Sequence, residues 1–209
     1  MSTDQRHDVK RDFRIAPHKT DVGPPWLVAM KGFPATGKSA LAHAICRTLA
    51  WPLIDKDDVK DFTLHFENGN ELAYEIMWSI TRRQLSLGLS VVVDSPLTYP
   101  IAFATAATLA SEYKARLLVV ETRLDDTTWR QRLEARNPSE STHKVSSWDA
   151  MQQLLRRYDG CWQYAIPEGQ HIIVDASHPA DLLLRDVMAR LELSLLEQPY
   201  RSVPTTACD

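Results

Sequence analysis

Gly32-Phe33-Pro34-Ala35-Thr36-Gly37-Lys38-Ser39 fits the pattern GxxxxGK[ST] at every defined position. Each residue type suits a polyphosphate. The two glycines let the backbone wrap closely and turn its N–H groups toward phosphate oxygens. Lys38 can reach the β- and γ-phosphates, and the Ser39 hydroxyl can ligate Mg²⁺. A helix that starts here also aims its positive dipole end at the anion. A chance glycine turn is the bland alternative. The apolar run before the loop and the helical pattern after it are the context the motif needs, and they favour the phosphate reading. The candidate ATP contacts are therefore Gly32, Phe33, Pro34, Ala35, Thr36, Gly37, Lys38, Ser39 and Ala40.

Two acidic groups could complete such a site. Leu53-Ile54 is followed by Asp55, Lys56, Asp57, Asp58 and Asp61. A carboxylate here could face the γ-phosphate and accept the proton of an attacking hydroxyl. The competing role is Asp57 or Asp58 as the N-cap of the next helix, a common role for aspartate. Both roles can hold, with one residue capping and another catalytic. Asp57 is the candidate base, and Asp55 reads as structural. Val91-Val92-Val93-Asp94 is a β-branched run ending in a carboxylate, which suits a Mg²⁺ ligand beside Ser39; a solvated strand-end aspartate is the alternative. Ser95 follows it.

Positive charge comes from Arg123, Arg130, Arg132 and Arg136. Helical spacing puts Arg132 and Arg136 on one face, where they could swing over the phosphates and offset charge on a transferred group. A solvated basic face paired with Glu134 and Asp126 explains the same run. His143 and Lys144 lie beyond it, facing either a ligand or water.

The elements that must position these groups alternate. Apolar strand runs are expected at 26–31, 52–55, 89–94, 115–121 and 171–175. Helical patterns are expected at 39–50, 70–87, 99–113, 125–136, 147–158 and 180–195. This alternation predicts a parallel sheet covered on both faces, with ligands at the carboxyl ends of its strands. Residues 1–24 read as an arm, 25–196 as the domain with a lid at about 125–147, and 197–209 as a tail. The loop Asp175-Ala176-Ser177-His178 is a weak candidate for the adenine end. Single aromatic residues are expected in the core.

Bulk properties narrow the partners. The chain has 209 residues, 44% hydrophobic and 24% charged, as in an ordinary globular domain. A net charge of −3 and a pI near 6.2 argue against a nucleic-acid binder. Cys46, Cys161 and Cys208 form an odd, widely spaced set without a CxxC, so reduced thiols and a cytoplasmic setting are expected. No apolar run is long enough to span a bilayer. A monomer is the simple expectation for a core of this size.

Taken together, GFPATGKS, IDKDDVKD, VVVDSP and WRQRLEARN resemble the zeta-toxin-like P-loop kinases often labelled AAA-domain proteins, relatives of polynucleotide kinase and chloramphenicol phosphotransferase. The resemblance spans about residues 26–178. It implies an α/β, three-layer P-loop fold with a five-stranded parallel sheet, helices on both faces and a small helical lid. It also implies Lys38 and Ser39 in the phosphate loop, Asp57 as the base, Asp94 at the metal, and Arg132 and Arg136 in the lid. No arginine-finger or sensor arrangement of a ring-forming ATPase is visible. The leading expectation is transfer of the γ-phosphoryl of ATP-Mg²⁺ to a small-molecule hydroxyl. A polynucleotide 5′-hydroxyl kinase and a non-catalytic ATP-dependent switch are the alternatives.

Overall fold

The computed structural model describes residues 23–136 and 145–191. Five strands form one parallel sheet: β1 (Trp26–Lys31), β2 (Leu53–Asp55), β3 (Val91–Asp94), β4 (Arg116–Arg123) and β5 (His171–Asp175), in the order β2-β3-β1-β4-β5. Central β1 pairs with β3 through Leu27↔Val91 and with β4 through Trp26↔Arg116 to Lys31↔Glu121. Strands buried on both faces need apolar residues at successive positions, not alternate ones, and Leu27, Val28, Ala29 and Met30 are all fully buried.

The side chains of β1 divide between two cores. Val28 and Met30 face α1 (Lys38–Leu49) and α7 (Ala180–Arg190), meeting Leu41, Ile45, Val187 and Met188. Leu27 and Ala29 face α3 (Gly69–Ser86) and α4 (Pro100–Glu112), meeting Met77, Ala106 and Leu109. The three layers and five parallel strands are those the alternating pattern predicted. A short α2 (Lys56–Thr63) follows β2, while α5 (Asp126–Glu134) and α6 (Trp148–Tyr158) pack together through Trp129, Leu133 and Met151.

Three boundaries differ from the sequence reading in ways that matter. The cap of α2 is Asp55, whose Oδ1 accepts from the Asp57 N–H at 2.8 Å, and not Asp57 or Asp58. The Asp57 side chain is therefore not the cap. Helix α5 ends at Glu134, so Arg136 lies in the bend beyond it and not one turn from Arg132 on a shared helix. Strand β4 runs on to Arg123, carrying the sheet further toward the site than expected.

Cys46 and Cys161 are free thiols. No helix among the described residues is long and apolar enough to cross a membrane. Residues 1–22 of the arm, 137–144 with His143 and Lys144, and 192–209 with the whole tail lie outside the described residues.

Candidate active site

The phosphate loop joins β1 to α1. Two backbone sites require its residue types. Gly32 has φ +142°, and a Cβ there would come within 2.6 Å of Thr122 Oγ1 and 2.8 Å of the Thr122 carbonyl oxygen. Gly37, at φ +87°, occupies the N-cap of α1 in the left-handed region. The loop is tied to the sheet beneath it. Gly32 N–H donates to the Pro96 carbonyl at 3.2 Å, and Thr36 Oγ1 donates to the Phe33 carbonyl at 2.8 Å. Thr36 Oγ1 also lies 2.7 Å from Thr122 Oγ1. The Thr36 side chain is thus a latch facing the sheet, and its contribution to a phosphate is limited to its backbone.

Lys38, Ser39, Asp57 and Asp94 line one cleft of about 490 Å³ at the carboxyl ends of β2, β3 and β1. Lys38 Nζ donates to the Phe33 carbonyl at 3.3 Å. Burial pushes the Lys38 ammonium below its usual range, opposed chiefly by the charge of Asp94 and reinforced by that of Arg136. Asp57 Oδ1 lies 3.2 Å from Lys56 Nζ, which is buried and also stacks over the Tyr74 ring. The pair fixes one edge of the Asp57 carboxylate.

Asp94 and Ser95 are each 3% exposed, yet Asp94 Oδ2 and Ser95 Oγ have no hydrogen-bond partner. A buried carboxylate oxygen without a donor is costly. Its neighbour Asp55, in register with Asp94 across β2–β3, shows the same stress: burial and then the charge of Asp94 push its carboxyl up to about 6. A cation at Asp94 relieves both. The donors present, a carboxylate and the Ser39 hydroxyl, are hard oxygens suited to magnesium. No cluster of three His, Cys, Asp or Glu exists among the described residues. Such a sparse donor set fits an ion that takes the rest of its shell from phosphates and water.

The arginines separate. Arg136 lines the cleft and donates to the Val145 carbonyl at 3.3 Å. Arg132 reaches the other end of the loop, with Nη1 3.8 Å and Ala176 Cβ 4.0 Å from the position a Cβ on Gly37 would take. The 175–178 loop therefore borders the same end. Arg130 pairs with Glu134 at 2.9 Å on the exposed face, the solvated arrangement weighed for this run. Of the remaining loop residues, Pro34 lines the cleft, whereas Phe33 stacks on Trp129 with centroids 5.1 Å apart. Ala35 takes φ +66° and packs against the α5–α6 cluster, and Ala40 is an exposed residue of the first turn of α1.

The sequence reading passed over several cleft residues. Lys60, Asn70, Arg157 and Tyr158 reach it, the last meeting Tyr99, another lining residue, edge to face at 5.7 Å. The one available signal was the strongly amphipathic pattern of 148–158, whose basic end carries Arg157.

The AAA domain family model matches residues 27–158. No curated protein matches the chain. Several solved structures share the fold at low identity. A sugar kinase from Janibacter sp. is 11% identical with a TM-score of 0.60, covering 82% of this chain and 97% of its own. An APS kinase from Mycobacterium tuberculosis, solved with AMPPNP and APS, is 16% identical with a TM-score of 0.58, covering 81% and 98%. A gluconokinase from Sinorhizobium meliloti is 18% identical with a TM-score of 0.56, covering 80% and 92%.

Proposed function

The chain belongs to the AAA domain family, and from that premise we propose that it is an ATP-Mg²⁺-dependent phosphotransferase whose acceptor is a hydroxyl group of a small molecule. One observation carries this reading: a single cleft brings Lys38 and Ser39 of the phosphate loop together with Asp57 and with Asp94, whose buried Oδ2 has no hydrogen-bond partner. A protein that only bound nucleotide would have no use for Asp57 held beside the cleft by Lys56. The names of the fold's neighbours, among them an APS kinase and a gluconokinase, point the same way.

The chemistry follows from the placement. Asp57 accepts the proton of the acceptor hydroxyl as its oxygen bonds to the γ-phosphorus. The bond from that phosphorus to the bridging oxygen breaks, and ADP leaves with the electron pair. Lys38 and Arg136 offset the negative charge on the phosphoryl oxygens, and Arg132 guards the nucleotide end of the loop. Held by Ser39 and Asp94, magnesium would supply charge neutralisation at the β- and γ-phosphates.

The test is transfer of label from γ-labelled ATP-Mg²⁺ into a metabolite extract. A labelled small molecule that forms with the wild-type protein and not with Lys38→Ala is expected, and its identification gives the acceptor. No labelled product with the wild type, while ATP still binds, would sink the reading in favour of a switch.

A further inference from the structure

A second cavity, of about 530 Å³, opens on the other side of β1, toward β4 and β5. It shares Gly32, Phe33 and Thr36 with the outer wall of the phosphate loop, and Pro96 and Thr98 separate it from the cleft. Its floor is a charged cluster with no part in the proposed transfer. Lys31 Nζ and His171 Nε2 each lie 3.0 Å from Glu121 Oε2, and Arg123 Nε lies 2.6 Å from Glu121 Oε1. Lys31 and Glu121 are 5% and 6% exposed. Burial pushes the Glu121 carboxyl up, but bonds from Arg123 and Lys31 outweigh it and hold the group below its usual range.

At the floor Lys31 and Arg123 face the single carboxylate of Glu121, while Asp126, exposed like Arg123, brings the charged lining groups as a whole to balance with His171 neutral. Aromatic rings stand over this floor. Phe33 stacks on Trp129 at an interplanar angle of 17°, and Trp162 meets Phe33 edge-on with centroids 5.3 Å apart. A cavity of this size with a few convergent polar groups and aromatic walls is the usual form of a small-molecule site.

We propose that this cavity is a second ligand site, separate from the nucleotide cleft, for a small planar aromatic carboxylate. The ring lies against Phe33 and Trp162, and the carboxylate meets Arg123 and the remaining donors of Lys31. The floor sets two cations against one carboxylate, so a second carboxylate finds donors there, and its planar shape matches the fork of a guanidinium. Contacts run from this cavity to the phosphate loop: Trp129 Nε1 donates to the Pro34 carbonyl at 2.7 Å and Thr122 contacts Thr36. A ligand here is therefore expected to alter nucleotide affinity, and nucleotide to alter its affinity by the same factor.

Calorimetric titration of the full chain with benzoate, nicotinate and indole-3-carboxylate, each beside its neutral amide, tests this. At least one acid is expected to bind saturably, and its amide about tenfold more weakly, the effect of one lost charge-assisted hydrogen bond. Arg123→Gln, at an exposed position, and Trp162→Ala, at a half-buried one, are each expected to weaken that acid by about fivefold or more. Saturating AMPPNP is expected to change the affinity without abolishing it. The proposal is overturned if none of the three acids binds at millimolar concentration, if acid and amide bind alike, or if both variants bind as the wild type does. One-for-one displacement of the acid by AMPPNP would also overturn it, since the two would then share one site.

Discussion

The two sides of β1 treat charge in opposite ways. Toward β4 and β5, the buried Glu121 is met by Lys31, His171 and Arg123, all within 3.0 Å. Toward β2 and β3, Asp94 Oδ2 and Ser95 Oγ are buried without partners, Asp55 is pushed up to about 6, and Lys38 is pushed down by burial. Both regions sit at the same sheet end and share the wall at Pro96 and Thr98. The difference lies in where the compensating charge comes from. The first cluster carries nearly all of its own and serves to hold. In the proposed function the second is completed by charges borne on a ligand, a triphosphate and a cation, at a cost in stability that functional sites commonly carry.

Substitutions on the two sides should therefore move stability in opposite directions. The largest effect is expected from Glu121→Gln, which strands the Lys31 ammonium in the interior. Loss of about 3 kcal/mol of unfolding free energy is expected in denaturant titrations, as for other broken buried pairs. A loss within error would mean that the cluster is not tightly packed.

Asp55→Asn is expected to act the other way. In the folded protein the Asp55 carboxyl titrates at about 6, above the roughly 3.9 of an unfolded aspartate. Between those values the folded state binds more protons, so stability falls as pH rises from about 4 to 6 and is level above. Asparagine keeps a cap oxygen for the Asp57 N–H and removes the charge. The variant should gain about 1–2 kcal/mol at pH 7 and lose the fall below pH 6. Thermal melts across that range check both, and a variant profile parallel to the wild type would exclude Asp55 as the source.

Trp129→Phe probes the link between the sides. It deletes the bond to the Pro34 carbonyl and retains a ring against Phe33. About 1 kcal/mol of stability should be lost, with nucleotide affinity lowered measurably, by up to about tenfold. Unchanged affinity would show that the ties of Gly32 to Pro96 and of Thr36 to Phe33 and Thr122 hold the loop without Trp129.

The cleft was more legible in the sequence than the second cavity, for a physical reason. A phosphate loop and a strand-end aspartate are local patterns: the glycines, Lys38 and Ser39 are adjacent in the chain, and β-branched runs announce buried parallel strands. The Lys31–Glu121–His171 cluster is made by register. Lys31 and Glu121 lie opposite each other only because β1 pairs with β4, and His171 joins because β5 pairs beyond it. Nothing in the local sequence marks Lys31 as buried. The choice among Asp55, Asp57 and Asp58 was hidden for a different reason. All three carry the same group, and only the backbone direction at the start of α2 decides which one caps the helix.

The most direct test of the kinase reading is Asp57→Asn, assayed for phosphoryl transfer to the identified acceptor and, in parallel, for affinity toward ATP-Mg²⁺. With Lys38, Ser39 and Asp94 intact, nucleotide affinity should stay within about twofold while transfer falls by about 10²–10⁴, the range for removing a general base. Transfer at the wild-type rate with unchanged affinity would contradict the role given to Asp57 and, with it, the account of why this cleft is built as it is.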